Sequence, residues 1–262
     1  MARVSFGDIT LNVEDSGTPD APAVVFSNSL GTTLHMWDPV IPFLPEGLRL
    51  IRYDRRGHGL SDTPDAPYTM GQLVRDTERV VEHCQAKDIV FVGLSIGGLV
   101  AQGLATKRPD LVRAMVLSNT GAKIGTPQMW QERIDDIGKN GLEWAADAVM
   151  ERWFSEEFRA SPELDTWRQM LVDTPLTGYL GCSAAIAGTD FFSATAALTL
   201  PTLAIAGTAD GSTPPDLVRE TGALIEGSSF HLIRGAGHLP CIERPEEYGR
   251  VLTQFFREAG HI

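Results

Sequence analysis

Between Asp88 and Ala101 the chain reads DIVFVGLSIGGLVA: an apolar run, then Gly93-Leu94-Ser95-Ile96-Gly97, then a segment of helical character. A strand that becomes a helix across one residue needs a sharp, strained turn. Glycines two positions before and after the serine remove the Cβ atoms such a turn would bring into collision, and the serine hydroxyl is lifted above the sheet. G-x-S-x-G alone is weak in a chain with 26 glycines. Its place between a buried strand and a helix makes it a nucleophile elbow, and the chain must then build a sheet with helices around it.

The remaining pattern agrees. Short β-rich apolar runs bounded by Gly, Pro, Asp or Ser alternate with segments of helical period, which predicts βα units and a mostly parallel sheet. The expected strands are Val4–Phe6 and Ile9–Glu14 as a hairpin, then Ala23–Ser27, Leu48–Tyr53, Ile89–Val92, Ala114–Ser118, Thr202–Ala206 and Ser229–Ile233. Most are continuously apolar, so both sheet faces should be covered by helices. The expected helices are Met70–Ala86, Gly97–Lys107, Pro215–Ile225 and Pro245–Glu258.

From Lys123 to Gly188 the rhythm becomes helical without a convincing strand. This predicts an α/β core over 1–122 and 189–262 with a helical cap over 123–188. Trp130, Trp144, Trp153 and Trp167 fall inside the insertion. Each could belong to a small core of its own, while the group as a whole points to a covered apolar space.

Net charge of −12 opposes nucleic-acid phosphates and anionic membranes, which reward a basic patch, so neither is expected as a partner. Cys84, Cys182 and Cys241 are odd in number and widely spaced, which suits neither a disulfide framework nor a zinc site, and a reducing compartment is expected. The opening MARVSFGDITLNVEDSG alternates like a strand and lacks the apolar stretch of a signal peptide, so the expected location is the cytoplasm. No apolar run approaches the roughly 18 residues of a membrane span.

A serine hydroxyl needs a base that titrates near neutrality, and histidine is the common candidate. In a fold with this elbow the chain order is Ser, acid, His, with the last two on loops after later strands. His35 and His58 lie upstream of Ser95, His83 in a helix, His231 in a strand and His261 in the tail. His238 remains, after the loop Arg234-Gly235-Ala236-Gly237. Asp210 ends the preceding strand segment and is the expected acid, with Asp190 and Asp216 as rivals. Its carboxylate would accept the imidazole Nδ1–H and leave Nε2 facing Ser95. The expected oxyanion donors are the backbone amides of Ile96 and of Leu30, the latter in the loop Asn28–Thr33. Tyr53–Gly59, which completes no triad, reads as scaffolding.

With these residues in place the chain resembles the α/β-hydrolase superfamily over nearly all of its length, and within it the 3-oxoadipate enol-lactonases. The resemblance rests on SNSLGTTLHMW (27–37), YDRRGHGLSD (53–62) and GAGHLPCIERPEEY (235–248). Asn28-Ser29 stands where many relatives carry His-Gly, and the Asn-Ser-Leu-Gly form is similar to the enol-lactonase branch. The resemblance implies hydrolysis of 3-oxoadipate enol-lactone through an acyl-enzyme, without metal or cofactor, on a small anionic lactone.

That substrate carries a carboxylate which a water-excluding pocket must pair. Trp130, Arg133, Ile134 and Ile137 share one helical stripe, and Leu142, Ala145, Ala146, Val149, Met150 and Trp153 another. Arg133 is the expected carboxylate partner, with Trp153 and Trp130 as pocket walls, against the alternative of a snorkelling arginine with a solvated head. A carboxylesterase, a carbon–carbon bond hydrolase or a cofactor-free perhydrolase would keep the same triad, and a ligand receptor could keep the fold. Haloalkane dehalogenation is excluded, because it needs an aspartate where Ser95 stands.

Overall fold

The computed structural model describes residues 1–262. Eight strands form one sheet: β1 Ala2–Ser5, β2 Thr10–Ser16, β3 Ala23–Ser27, β4 Arg49–Tyr53, β5 Ile89–Leu94, β6 Val112–Ser118, β7 Thr202–Gly207 and β8 Ser229–Ile233. Their spatial order is β1-β2-β4-β3-β5-β6-β7-β8, and only β2 runs against the others. The helices are α1 Met70–His83, α2 Ile96–Lys107, α3 Pro127–Asn140, α4 Leu142–Trp153, α5 Glu156–Arg159, α6 Leu164–Val172, α7 Leu176–Ala187, α8 Phe192–Ala196, α9 Pro215–Ala223, α10 Pro240–Glu243 and α11 Pro245–Glu258. No helix is long and apolar enough to cross a membrane.

β3, β5 and β7 are buried along their whole length, as continuous apolar runs require. β4 is also buried throughout despite Arg49 and Arg52. Arg49 pairs with Asp15, and Arg52 with Glu14 and Asp38, so each buried guanidinium faces a carboxylate. The N-terminal hairpin is displaced from its expected bounds because Gly7, at φ +91°, makes the turn. α1 stops at His83 rather than Ala86, since Gln85 takes a left-handed backbone at φ +53°.

Five helices, α3 to α7, run through residues 127–187. The apolar stripe of α4 is buried at every expected position from Leu142 to Trp153. On α3, Trp130 and Ile137 are buried while Arg133 and Ile134 are half-buried. α7 approaches the core so closely that a Cβ on Gly178 would collide with Gly57 O, and Tyr68 N–H donates to Gly181 O at 3.2 Å.

Adjacent parallel strands end at one level. Ser27 is in register with Gly93, Leu94 with Ser118 and Gly207 with Ile233. The loops after β3, β5, β6, β7 and β8 therefore open on one rim, the carboxyl edge where α/β sheets carry their sites.

Candidate active site

Ser95 sits between β5 and α2 at φ 58°, ψ −121°, a conformation that L-residues adopt only when the surroundings impose it. Its N–H donates to Ser118 O at 3.0 Å, and its carbonyl accepts from Thr120 Oγ1 at 2.7 Å and Gly98 N at 2.8 Å. The two elbow glycines act on different neighbours. A Cβ on Gly93 would strike Gly97 O within the turn, whereas one on Gly97 would strike Ser27 O of β3. The second glycine thus lets the elbow pack against the adjacent strand.

His238 and Asp210 meet as expected. His238 Nδ1 lies 2.9 Å from Asp210 Oδ2 and 3.1 Å from Oδ1, with both side chains almost entirely buried. Asp210 Oδ1 accepts from the Ser212 and Thr213 amides at 2.7 and 3.0 Å, and Oδ2 from Thr213 Oγ1 at 2.7 Å and Asn119 Nδ2 at 2.9 Å. Burial alone would raise the Asp210 pKa, but the charge and hydrogen bond of His238 with these donors outweigh it and hold the carboxyl below its ordinary value. The acid is thus held ionised, with the geometry that fixes the imidazole tautomer. Ser95 and His238 line the same cavity without a direct hydrogen bond between them. The rival acids lie elsewhere: Asp190 pairs with Lys123 at the surface, and Asp216 lies in the first turn of α9.

Asn119 and Thr213 escaped the sequence reading. Thr213 had a local signal, since Asp210-Gly-Ser-Thr213 is a turn sequence in which the aspartate accepts from the Ser212 amide two residues on, an Asx turn, and Thr213 follows directly. Asn119 had none, since only the alignment of β6 with β7 brings it to Asp210.

The Leu30 amide has no hydrogen-bond acceptor within the protein, and Ile96 is the first residue of α2, where the N–H lacks an intrahelical partner. Leu30 lines the cavity beside Ser95. Tyr53–Gly59 does more than scaffold the sheet, because it holds this loop from beneath. Asn28 Nδ2 donates to Tyr53 O at 2.9 Å, Arg55 donates to Asn28 O, and Leu34 N–H donates to Asp54 Oδ1 at 2.8 Å. Gly31, at φ +76°, donates its N–H to His58 Nε2 at 2.9 Å. Burial, then the neighbouring Arg55 charge, drive the His58 pKa down to about 3, so the ring is neutral and its Nε2 free to accept.

The cavity holds about 650 Å³. Trp130, Arg133 and Trp153 line it, together with Trp144 and Arg152. Trp144 departs from an inward-facing set, being 59% exposed, and Trp167 is buried without touching the cavity. Arg133 is no snorkeller. Its Nη2 donates to Tyr179 Oη at 2.5 Å, its guanidinium lies 5.4 Å from the Trp130 ring centroid and 5.8 Å from that of Tyr179, and its Nε is buried without a partner. Trp153 joins cap to site through its backbone, since its carbonyl accepts from His238 N at 2.7 Å. Beside it Gly211 N donates to Arg152 O at 3.1 Å, and Glu243 Oε2 accepts from Ser155 Oγ and N at 2.5 and 3.1 Å while its Oε1 accepts from Gly237 N at 2.6 Å. No group of three His, Cys, Asp or Glu side chains is placed to hold a metal ion.

A strained serine beside a histidine–aspartate pair and two free amides can carry out acyl transfer from an ester or lactone to water. The family model described as the alpha/beta hydrolase fold matches residues 22–245. 3-Oxoadipate enol-lactonase 2 of Acinetobacter baylyi is 35% identical over 250 residues, covering 94% of this chain and 92% of its own. 3-Oxoadipate enol-lactonase 1 of the same organism is 34% identical, with 95% and 93% covered. The crystal structure of the enol-lactonase from Burkholderia xenovorans LB400 superposes with a TM-score of 0.93 at 33% identity, covering 98% of this chain and 100% of that one. The chain is a hydrolase and belongs to the α/β-hydrolase fold family.

Proposed function

We propose that the protein hydrolyses 3-oxoadipate enol-lactone to 3-oxoadipate, a step of aromatic-compound catabolism, with Ser95 as nucleophile, His238 as base and Asp210 as its orienting acid. The observation that carries this substrate is Arg133, a half-buried cation with no carboxylate partner in an apolar-walled cavity that opens on Ser95. A neutral ester would leave that charge unpaired, whereas a lactone bearing a carboxylate would pair it. The 35% identity to an enol-lactonase supports the same reading.

In this mechanism the Ser95 proton passes to His238 Nε2 as Oγ bonds to the lactone carbonyl carbon. The oxyanion is received by the amides of Leu30 and Ile96. Collapse breaks the ring C–O bond, the enol oxygen leaves and takes up the proton held by His238, which returns the imidazole to its neutral form, and an acyl-enzyme remains on Ser95. An enolate is a better leaving group than an alkoxide, so proton donation by His238 contributes less here than in an ordinary ester. His238 then takes a proton from water, which attacks the acyl carbon, and Ser95 departs with a proton from the imidazolium. The released enol tautomerises to the ketone. Trp130 and Trp153 wall the acyl portion, and Arg133 pairs its carboxylate.

The test is steady-state hydrolysis of freshly generated enol-lactone, followed as loss of ultraviolet absorbance, with native protein and Ser95→Ala. Rapid turnover that vanishes in the variant is the expected result. Turnover of simple aryl esters without turnover of the lactone would leave a hydrolase and reject this substrate.

A further inference from the structure

Arg133 is not the only cation in the cavity without a counter-charge. Arg152, in the last turn of α4, lines the same space, is half-buried, and makes neither an ion pair nor a side-chain hydrogen bond. This is notable in a chain with 34 acidic and 22 basic side chains. The carboxylates nearest in the lining, Glu132 and Asp136, are exposed on α3, and Glu151 is exposed beside Arg152 on α4; none pairs with either arginine. Both arginines line one cavity, and burial first, then the charge of Arg133, lower the Arg152 pKa against the smaller opposing effects of Tyr179 and Glu151.

Two like charges facing one apolar-walled space are unfavourable until an anion stands between them. We propose that Arg133 and Arg152 form a two-cation receptor for a carboxylate carried by the substrate away from its reacting carbonyl, and that Arg152 sets the preference for acidic over neutral acyl groups. This rests on the reading of Ser95 as a hydrolytic nucleophile and deepens it. The two cations are held differently. Arg133 is fixed through its side chain, by the Tyr179 hydroxyl and by the rings of Trp130 and Tyr179. Arg152 is fixed through its backbone: its carbonyl accepts from Gly211, next to Asp210, and the following carbonyl accepts from His238. Its guanidinium thus projects from a point registered against both triad loops. A carboxylate held there is located relative to His238, and through it the acyl carbon relative to Ser95. The substrate class is therefore a lactone or ester whose acyl chain ends in a carboxylate.

The experiment compares 4-nitrophenyl hemiglutarate with 4-nitrophenyl pentanoate, one acidic and one neutral, on native enzyme, Arg152→Gln and Arg152→Lys. Native enzyme is expected to favour the acidic ester in kcat/KM. Arg152→Gln lowers that acid-to-neutral ratio by about tenfold to a hundredfold, the range of a lost charge-assisted hydrogen bond, and Arg152→Lys recovers part of it. A ratio unchanged in Arg152→Gln, whatever happens to the absolute rates, overturns the proposal, because a purely structural role would lower both esters together. Should neither ester turn over, calorimetric binding of monomethyl glutarate to Ser95→Ala decides: affinity no greater than for dimethyl glutarate, or unaffected by adding Arg152→Gln, overturns it equally. An enzyme that ignores the enol-lactone yet shows the Arg152-dependent ratio keeps the receptor and loses the proposed substrate. Lactone turnover with an Arg152-independent ratio does the reverse.

Discussion

His58 makes a pH dependence of stability that can be isolated by one substitution. The ring is fully buried, accepts from Gly31 through Nε2, and has its pKa held at about 3 by burial and Arg55. In the unfolded chain the same imidazole takes up a proton near 6.5. Between these values the unfolded state binds more protons than the folded one, so stability rises with pH. The contribution is complete above the unfolded pKa and is lost as pH falls toward the folded one. From pH 7 to pH 5 the loss is about 2 kcal/mol, with about 1.4 kcal/mol for each further unit until the folded pKa is approached. His58→Gln keeps a side-chain acceptor for Gly31 and removes the titration. Other shifted groups, Asp210 with the same sign and Asp76 and Glu243 with the opposite one, titrate in both proteins and cancel in the difference. Urea unfolding followed by tryptophan fluorescence at pH 7 and pH 5 should show native protein losing about 2 kcal/mol more than His58→Gln. Equal losses in the two proteins would refute the neutral, buried acceptor and, with it, this account of how the Leu30 loop is held.

Asp210→Asn should lower kcat about 10,000-fold by presenting the wrong imidazole tautomer, and a loss under tenfold in steady-state assays would remove Asp210 from the mechanism. Asn119→Ala deletes a donor to a carboxylate held below its ordinary pKa, so the acid limb of the rate profile should move to higher pH; an unmoved limb would show that this contact does not matter. Gly97→Ala drives a Cβ into Ser27 O and toward Asn28 O at 2.9 Å, both backbone, and should cost about 1–3 kcal/mol in urea unfolding with a fall in kcat. Unchanged stability in that variant would mean that β3 and the elbow are less tightly packed than described.

The sequence was most informative where local and tertiary demands coincide. β3 has its expected limits because a buried parallel strand is an unbroken apolar run between turn residues, and β8, a half-exposed edge strand, has its limits set by the flanking Gly227-Ser228 and Arg234-Gly235 turns. The order Ser95, Asp210, His238 was legible because each follows a strand in a loop whose glycines announce the turn. β4 gave no hint that Arg49 and Arg52 would be buried, since their partners Asp15, Glu14 and Asp38 come from other segments. Tyr53–Gly59 was set aside for completing no triad, yet it acts one layer beneath the chemistry, through His58 and Arg55. Arg152 was invisible for a related reason: it lies beside an apolar stripe on a helix, just before Trp153, and only the fold shows that no acid pairs with it. Trp144 shows the limit of composition, as aromatic content located the cavity but not which ring would stand at its mouth.

The clamp between residues 152–155 and the loops bearing Asp210 and His238 has a mechanical consequence. With α7 seated against Gly57, two sides of the cavity roof are riveted to the core. The side chains of α3, by contrast, form no hydrogen bond outside residues 123–188. The roof is thus fastened to the core directly along the edge nearest Asp210 and His238, whereas α3 is held at second hand, through its packing on α7, and the exposed Met129 and Trp144 form the sill. Traffic of substrate and product can then be adjusted by residues at that sill while the distances around His238 stay fixed.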